Sequence, residues 1–450
     1  MRLKKYWFLI SFSILFAVLA ANFFWVRNAQ TPTIPSFFAA IVRSSPLSLP
    51  VPSPPLKLSE KRKAIAGEDL PDSTPINLTP HAIALNDGKS FDLYLPQEFQ
   101  ITPAAQGLKR IRAMAKSPDG RLFVPDMIDL SDNNDGAIYI LDDFDATRGT
   151  FGKAATYLTE LRNPNSLTFY TDDAGKHWLY LALTDRLVRY PYRTGDLKPS
   201  SPPQTIATFP DRGLSYKYGG WHLTRTVEIH NNKVYVSIGS SCDACEETEA
   251  VRASILEMDL DGRNSRPYAT GLRNAVGIKW VSKAGIENLF ATNMGSDYLG
   301  EDKPEDTFYL VEDGKNYGWP YCYQFEAQIY ADEEFSRSDR AIDCRKVPLA
   351  DATFPAHSAP LGFAYFDSTN TISSLKNYFL VALHGSSEVS LNRGYEIVRV
   401  AKGRSPEPFV TGFLQNGVVY GRPAFILPWG TNAFLVTDDR AGVVYFISPK

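Results

Sequence analysis

The residue best suited to acid–base chemistry in this 450-residue chain is His222, within the stretch 219–225 that reads Gly-Gly-Trp-His-Leu-Thr-Arg. An imidazole titrates near neutral pH and can take a proton from a hydroxyl group. A histidine in such a loop can equally be a structural residue that bonds to a neighbouring loop. The sequence leaves both roles open, and we treat His222 as a candidate general base.

Three arginines stand in or beside turns that flank strand-like segments: Arg273, Arg393 and Arg422. A guanidinium group binds a carboxylate through two parallel hydrogen bonds, so several arginines aimed into one cavity would hold an acidic ligand. For any one of them, solvation at the surface is the ordinary alternative. The sequence therefore predicts a site for an acidic ligand only if the fold brings these three side chains together.

An acidic stretch follows Gly295 and Ser296. Carboxylates combined with backbone carbonyl groups in an irregular loop suit Ca²⁺. The spacing does not match an EF-hand loop, and a solvated acidic loop is the alternative. The acidic residues are Asp297, Glu301, Asp302, Glu305 and Asp306. The sequence contains no Gly-x-Ser-x-Gly elbow, phosphate-binding loop or dinucleotide fingerprint.

The four cysteines lie in the middle of the chain. An even number of cysteines in an exported protein indicates disulfides, and four allow three pairings. We predict the bonds Cys242–Cys245 and Cys322–Cys344, because these pairings close the shortest loops. A zinc site is the alternative, although only one of the two pairs has the close spacing that zinc ligands usually show.

The elements that must position these residues are short β-strands. From about residue 91, runs rich in Val, Ile, Tyr and Phe alternate with turn residues, and one phrase of two strands joined by a polar turn occurs six times between residues 111 and 438. Six copies predict an all-β, six-bladed β-propeller over residues 86–450. A β-sandwich is the alternative, but sandwiches seldom repeat a whole phrase. In a propeller, loops at one end of the central channel bring distant residues into one site.

The amino terminus has the features of an export segment. Basic residues precede an apolar run at 6–26, and we predict that residues 1–27 form a signal peptide or membrane anchor. The anchor is favoured, because large apolar residues continue past the possible cleavage sites. Residues 28–85 are rich in Pro and Ser and predict a semi-rigid linker. The basic start places the remainder outside the cytoplasm, in the periplasm.

Charge and composition limit the partners. The formal net charge is −3, so no basic surface indicates nucleic-acid binding. Hydrophobic residues make up 44% of the chain, which is enough for a large core. We therefore expect a small-molecule ligand and a membrane attachment through the amino terminus, with no nucleic acid.

A series of motifs runs along the chain: His222-x-x-Arg225 and the stretches at 234–245, 270–277, 316–322, 356–362, 382–386 and 421–423. Together they resemble the soluble pyrroloquinoline-quinone (PQQ) sugar dehydrogenases, particularly the sorbosone and pyranose dehydrogenase branch. The motifs keep the family's order, and the resemblance covers the chain from about Leu95 to its end. One difference from that branch is Glu396, which stands where a lysine is usual.

The resemblance implies PQQ and Ca²⁺ at one mouth of the propeller. His222 matches the base that takes a proton from the anomeric hydroxyl of the sugar. Arg273 and Asn274 match a pair that contacts the cofactor, and Arg422 matches a late arginine that meets its acid groups. Gly295 and Ser296 fall where backbone carbonyls bind Ca²⁺, which acts there as a Lewis acid.

These observations predict a periplasmic, membrane-tethered quinoprotein dehydrogenase. It would oxidise an aldose or sugar aldehyde, of the sorbosone or glucose type, and pass electrons to an acceptor of the respiratory chain. Two alternatives remain: a non-catalytic or altered propeller that binds a carbohydrate or protein partner, and a Ca²⁺-dependent propeller similar to lactone hydrolases.

Overall fold

The computed structural model describes Pro71 and residues 75–210, 221–283 and 285–450. The predictions for residues 1–27 and for most of the linker at 28–85 lie outside the described residues. In the described part of the chain, no helix is both long and apolar enough to cross a membrane. Helical structure there is limited to two short 3-10 segments, Cys344–Lys346 and Val389–Leu391.

Six antiparallel sheets form the blades, and this confirms the all-β, six-bladed propeller. From the innermost strand outwards, the first blade consists of β4 Ala115–Lys116, β5 Leu122–Asp126, β6 Gly136–Asp145 and β7 Thr150–Leu161, and the second of β8 Ser166–Thr171, β9 His177–Ala182, β10 Arg186–Tyr192 and β11 Gln204–Thr208. The third blade consists of β12 Arg225–His230, β13 Lys233–Ile238, β14 Ser254–Asp259 and β15 Arg266–Thr270. The short strand β19 Lys315–Asn316 is added to it in parallel to β15.

The remaining three blades repeat the same pattern. The fourth blade consists of β16 Ile278–Lys283, β17 Ile286–Asn293, β18 Asp306–Val311 and β22 Ala352–Phe354, and the fifth of β23 Pro360–Phe366, β24 Tyr378–Leu383, β25 Glu396–Val400 and β26 Glu407–Val410. The sixth blade consists of β29 Pro423–Pro428, β30 Phe434–Asp438, β31 Val443–Pro449 and β3 Phe99–Ala105. Each of the six repeated phrases in the sequence forms the two inner strands of one blade.

The ring closes because an early strand completes the last blade. Strand β3 pairs antiparallel with β31, for example Ile101 opposite Ile447. The chain must pay the entropy of loop closure before such a distant pair of strands forms. Once formed, this pairing makes the propeller one cooperative unit rather than a chain of separate sheets.

Among the described residues, three hairpins lie outside the blades: β1 Leu78–Ala84 with β2 Ser90–Pro96, β20 Cys322–Phe325 with β21 Gln328–Ala331, and β27 Leu414–Gln415 with β28 Val418–Val419. Strand β1 falls within the segment 28–85 that the sequence assigns to the linker. It carries Pro80, which is tolerated in a strand at the edge of a sheet. The folded part therefore begins before residue 86.

The core consists of apolar layers between adjacent blades. Phe308 of the fourth blade packs edge-to-face against Phe363 of the fifth, with ring centroids 5.0 Å apart. Fully burying such a ring contributes about 1.5–3 kcal/mol. A cavity of about 10 Å³ lies between residues at or next to the innermost strands of all six blades. This central space is too small for a substrate or a cofactor.

Both predicted disulfides are present and are confirmed. The Cα atoms are 6.1 Å apart in Cys242–Cys245 and 5.7 Å apart in Cys322–Cys344. These separations lie in the usual range for disulfides. All four cysteines are thus oxidised in two disulfides, and no thiolate remains for the zinc site considered as the alternative.

Candidate active site

A cavity of about 560 Å³ lies at one mouth of the propeller. Two kinds of loop line it: the segments that lead into the innermost strand of a blade, and the loops that join the second and third strands. Because neighbouring strands in a blade are antiparallel, these two kinds of loop emerge at the same end of every sheet. Residues from distant parts of the sequence therefore share one wall.

The cavity gathers most of the predicted site residues. Those on its wall are His222, Arg273, Asn274, Gly295 and Arg422. Ser296 and Arg393 are not among the lining residues. Other charged or ring-bearing residues on the wall are Arg110, Arg112, Trp221, Asp297, Asp306, His357, His384 and Arg440.

His222 lies just before β12 and is held as a neutral imidazole. Its Nδ1 is 3.0 Å from the carbonyl oxygen of Ser240, which can only accept a hydrogen bond. Nδ1 therefore carries the proton, and Nε2 is the basic nitrogen. Burial, and next the charge of Arg273, hold the pKa of His222 well below 6.5. The ring is thus neutral at pH 7, with Nε2 unprotonated.

The backbone conformation around His222 is fixed by hydrogen bonds from a buried arginine. His222 has a φ of 50°, which is uncommon for a residue other than glycine. Arg225 is 1% exposed, and its Nη1 donates to the carbonyl oxygens of His222 at 2.6 Å and Thr224 at 2.9 Å. This buried guanidinium group holds the loop in its left-handed conformation.

Gly239 allows His222 and Asn274 to approach each other. A Cβ atom at this position would lie 2.6 Å from the Cβ of His222 and 2.6 Å from the Oδ1 of Asn274. Both contacts are far shorter than van der Waals distances, so only glycine fits between the two side chains.

Replacing Gly239 with alanine is expected to lower the free energy of unfolding by about 1–3 kcal/mol, because the new methyl group overpacks a closed site. Denaturant titration of the wild type and the variant measures this difference. An unchanged midpoint would show that the loop relaxes freely and that the site is not tightly packed here.

Arg273 and Asn274 lie side by side before β16. Arg273 is 3% exposed, and its Nη2 is 2.7 Å from the Oδ1 of Asp243, with Asp297 Oδ2 at 3.6 Å. The amide group of Asn274 donates to the Sδ of Met294 at 3.4 Å. These contacts place one fixed cation and one amide beside His222.

The acidic part of the wall is built on the loop between β17 and β18. Asp306 accepts hydrogen bonds from the backbone N–H groups of Gly295 at 2.7 Å and Ala359 at 2.8 Å. Burial raises the pKa of Asp306 to about 7. Ser296 is turned towards Trp319, whose Nε1 donates to Ser296 Oγ at 3.2 Å. The hydroxyl group of Ser296 is thus used within the protein.

Arg422 occupies the other side of the cavity. It donates to the carbonyl oxygens of Gly385 at 2.6 Å and Ser386 at 2.8 Å, and it lies over the ring of Tyr395 at 4.6 Å. Carbonyl groups orient a guanidinium group without neutralising its charge. Arg422 therefore keeps a positive charge beside the cavity.

Next to Arg422, the buried carboxylate of Asp439 contacts two arginines and one histidine. Asp439 has a fully buried side chain, with Arg112 Nε at 2.8 Å, Arg110 Nη1 at 3.3 Å and His384 Nε2 at 2.7 Å. Burial would raise the pKa of Asp439, but Arg112 and His384 lower it below the ordinary value. Asp439 thus remains ionised and accepts a hydrogen bond from the Nε2–H group of His384.

His384 gives a pH dependence with a defined sign. Burial lowers its pKa to about 4 in spite of Asp439, and Arg112 and Arg422 lower it further. The unfolded chain takes up a proton near pH 6.5 and the folded chain does not, so this contribution to stability is complete above pH 6.5 and is lost as the pH falls towards about 4. The maximum loss is about 3 kcal/mol at 1.36 kcal/mol per pKa unit.

A His384→Gln variant should lose less stability than the wild type between pH 7 and pH 4.5, because glutamine still donates to Asp439 but does not titrate. Denaturant titrations of both proteins across this range test the expectation. Parallel pH curves would mean that other groups cause the acid sensitivity.

The structure does not bring Arg393 into the cavity wall. Its Nη2 lies 2.5 Å from Asp302 Oδ1, and its Nη1 donates to the carbonyl oxygen of Glu301. The acidic loop of the fourth blade thus binds this arginine at the surface, and the structure does not bring Arg393 together with Arg273 and Arg422 in the site predicted for an acidic ligand. Glu396 is also absent from the lining residues.

Sequence reasoning missed the roles of Arg110, Arg112, His384 and Asp439. One signal was present: Arg112 precedes the innermost strand of its blade, as Arg422 does in the last blade. Another was the motif at 382–386, which contains His384. Arg110 and Asp439 are more than 300 positions apart in the sequence, and no local pattern reveals a contact between such distant residues.

Comparison with solved structures supports the same architecture. The holo form of the pyranose dehydrogenase PQQ domain from Coprinopsis cinerea is 19% identical and covers 80% of this chain and 97% of its own, with a TM-score of 0.63. A calcium structure of a family AA12 enzyme from Trichoderma reesei is 17% identical and covers 84% and 99%, also with a TM-score of 0.63. The PQQ-bound aldose sugar dehydrogenase from Streptomyces coelicolor is 18% identical and covers 79% and 100%, with a TM-score of 0.53.

Fold and site together define a six-bladed propeller with an arginine-lined cavity at one mouth. The model of the family described as TrAA12-like matches residues 93–412, and the chain belongs to that family. The resemblance carried by the motifs is thereby confirmed. An uncharacterized protein of Borreliella burgdorferi is 28% identical in an alignment of 228 positions that covers 49% of this chain. The match spans 58% of that relative's length.

Proposed function

We propose that this protein is a PQQ-dependent oxidoreductase that oxidises an aldose or a sugar aldehyde. The observation that carries the proposal is the convergence of a neutral His222, with its basic Nε2, and the cofactor-contact candidates Arg273, Asn274 and Arg422 on one cavity. The family membership supports oxidoreductase chemistry on a sugar.

The residues on the wall fit a flat tricarboxylate. A volume of about 560 Å³ is within the range of about 300–1,000 Å³ typical of small-molecule sites. Among the described lining residues, five are arginines and two are aspartates. The arginines stand on both sides of the cavity, so carboxylates at separate edges of one ligand can each meet a cation. The ring of Trp221 adds a flat apolar surface.

The acidic part of the wall fits Ca²⁺. Gly295, Asp297 and Asp306 line this region, and their backbone carbonyl and carboxylate groups are the oxygen donors available there. Oxygen ligands of this kind are those that Ca²⁺ prefers. The backbone carbonyl of Ser296 is the further ligand that the family resemblance proposes.

The residues of this chain act on the proton and on the position of the substrate. His222 Nε2 takes the proton from the anomeric hydroxyl group, while Ser240 holds the ring in the tautomer that leaves Nε2 free to do so. Arg273, Asn274 and Arg422 would hold the acid and carbonyl groups of the cofactor. When bound, PQQ would supply the acceptor for the hydride of the sugar carbon, and Ca²⁺ would supply Lewis acidity.

The cellular setting is part of the proposal. We infer a periplasmic location, with the amino terminus holding the protein at the membrane, and an electron acceptor of the respiratory chain as the partner. The apolar run at 6–26 and its basic start support this arrangement.

Reconstitution tests the function. Purified protein is mixed with PQQ and Ca²⁺, and cofactor absorbance and dye reduction are followed with a panel of aldoses and sugar aldehydes. A shifted absorbance together with sugar-dependent dye reduction is the expected result. Binding without turnover would favour an altered, non-catalytic site, and the absence of PQQ binding would overturn the proposal.

A further inference from the structure

Asp243 lies inside the loop closed by the Cys242–Cys245 disulfide and contacts two separate parts of the cavity wall. Its backbone carbonyl accepts from Arg273 Nε at 2.8 Å, and its Oδ1 accepts from Arg273 Nη2 at 2.7 Å. Its two carboxylate oxygens also accept from the backbone N–H groups of Asp297 at 2.8 Å and Tyr298 at 3.0 Å. One residue thus binds both the arginine and the 295–298 loop.

The disulfide loop that carries Asp243 is itself fixed. Cys242 is 4% exposed and packs with Ala253 and Trp319. Ser240 Oγ donates to the carbonyl oxygen of Cys242 at 2.6 Å, and Trp319 Nε1 lies 3.3 Å from the carbonyl oxygen of Asp243. A side chain on a tightly closed and packed loop loses little further entropy when it binds its partners.

The contacts of Asp243 leave one nitrogen of Arg273 for a ligand. Nε and Nη2 are used by Asp243, with Asp297 near Nη2, while Nη1 makes no hydrogen bond to the described residues. A guanidinium group held by two of its nitrogens has a fixed plane, so its third nitrogen has a fixed direction. The same carboxylate fixes the backbone of the loop that contains the candidate Ca²⁺ ligands.

We propose that Asp243, held in place by the Cys242–Cys245 disulfide, is a positioning residue that sets the direction of Arg273 and the shape of the 295–298 loop for the bound cofactor and metal. This inference rests on the proposed function. It assigns the Cys242–Cys245 disulfide a role in the affinity for the cofactor rather than in the stability of the propeller.

The test compares Asp243→Ala, Asp243→Asn and a Cys242→Ser/Cys245→Ser double variant with a matched control, Asp313→Ala. Asp313 also binds an arginine with both oxygens, at 2.5 and 2.8 Å from Arg266, but it does not line the cavity. The Kd for PQQ and the Ca²⁺ concentration for half-maximal binding are measured by tryptophan fluorescence. Amide hydrogen exchange at 295–298 and Tm are measured on the same proteins.

In Asp243→Ala we expect the affinities for PQQ and Ca²⁺ to fall by about 10- to 100-fold, the scale found for residues that orient metal ligands. Exchange at 297 and 298 should become faster, while Tm stays close to that of Asp313→Ala. Asp243→Asn should recover part of the affinity, because its amide oxygen still accepts a hydrogen bond. The double cysteine variant should resemble Asp243→Ala in affinity.

Unchanged affinity and unchanged exchange in Asp243→Ala would overturn the inference, as would equal losses in Asp313→Ala. A wild-type protein that binds no PQQ would refute the proposed function instead. In that case the exchange rates still decide whether Asp243 holds the 295–298 loop.

Discussion

Replacing His222 with asparagine is expected to lower kcat with PQQ and Ca²⁺ bound by about 10²- to 10⁴-fold, the usual contribution of a general base. Asparagine is chosen because it tolerates the φ of 50° and can still donate to the Ser240 carbonyl oxygen. It cannot take a proton at neutral pH. The loop should therefore keep its shape while the chemical step loses its proton acceptor.

Steady-state kinetics with a saturating aldose measure kcat, and a fluorescence titration measures the Kd for PQQ. The Kd should change much less than kcat, because the hydrogen bonds of Arg273, Asn274 and Arg422 are retained. A variant that turns over at the wild-type rate would remove His222 from the role of base. A variant that no longer binds PQQ would indicate a structural role for the residue.

The second large effect is expected at Arg422. Truncation to alanine removes a partly buried cation that is oriented by the carbonyl groups of Gly385 and Ser386 and stacked on Tyr395. Leaving a buried carboxylate of the ligand without its charge partner costs about 2–5 kcal/mol. We therefore expect the Kd for PQQ to rise by roughly 30-fold to several thousand-fold, at about 1.4 kcal/mol per factor of ten.

The matched control for this measurement is Arg393→Ala. Sequence reasoning gave both arginines the same role, but only Arg422 lines the cavity, whereas Arg393 is bound by Asp302. The Arg393 variant should bind PQQ with the wild-type affinity. Equal losses of affinity in the Arg422→Ala and Arg393→Ala variants would contradict the prediction that Arg422 binds the cofactor and Arg393 does not.

An Arg422→Lys variant separates charge from geometry. Lysine keeps the positive charge but cannot form the parallel pair of hydrogen bonds that a guanidinium group offers to a carboxylate. We expect an intermediate Kd, between those of the wild type and the alanine variant. Tm of all three proteins shows whether loss of the Gly385 and Ser386 contacts, rather than loss of ligand contacts, accounts for the change.

Repeated local patterns were sufficient to predict much of the architecture. The alternation of apolar strands and turns predicted six blades, because each blade must bury its faces against its neighbours and so repeats the same phrase. Cysteine spacing predicted both disulfides. His222, Arg273 and Arg422 stood out because each lies in a turn next to an inner strand, and such turns meet at one mouth once the sheets are arranged radially.

The identities of the partners of these residues depended on the closed ring. Arg393 looks like Arg422 in sequence, but the 301–302 segment of another blade binds it. Arg110 meets Asp439 because β3 completes the last blade and brings the two ends of the propeller together. Asp243 looks like an ordinary polar residue between two cysteines, yet it binds three groups that lie 30 to 55 positions further along the chain.

The sequence alone therefore determined the strands, their repetition and the chemical types available at the mouth, since these depend on local periodicity and side-chain chemistry. Only the tertiary structure decided which arginines face the cavity, which carboxylates neutralise them and which nitrogen of His222 is basic. Those outcomes depend on contacts between loops of different blades, and such contacts exist only when the ring is closed.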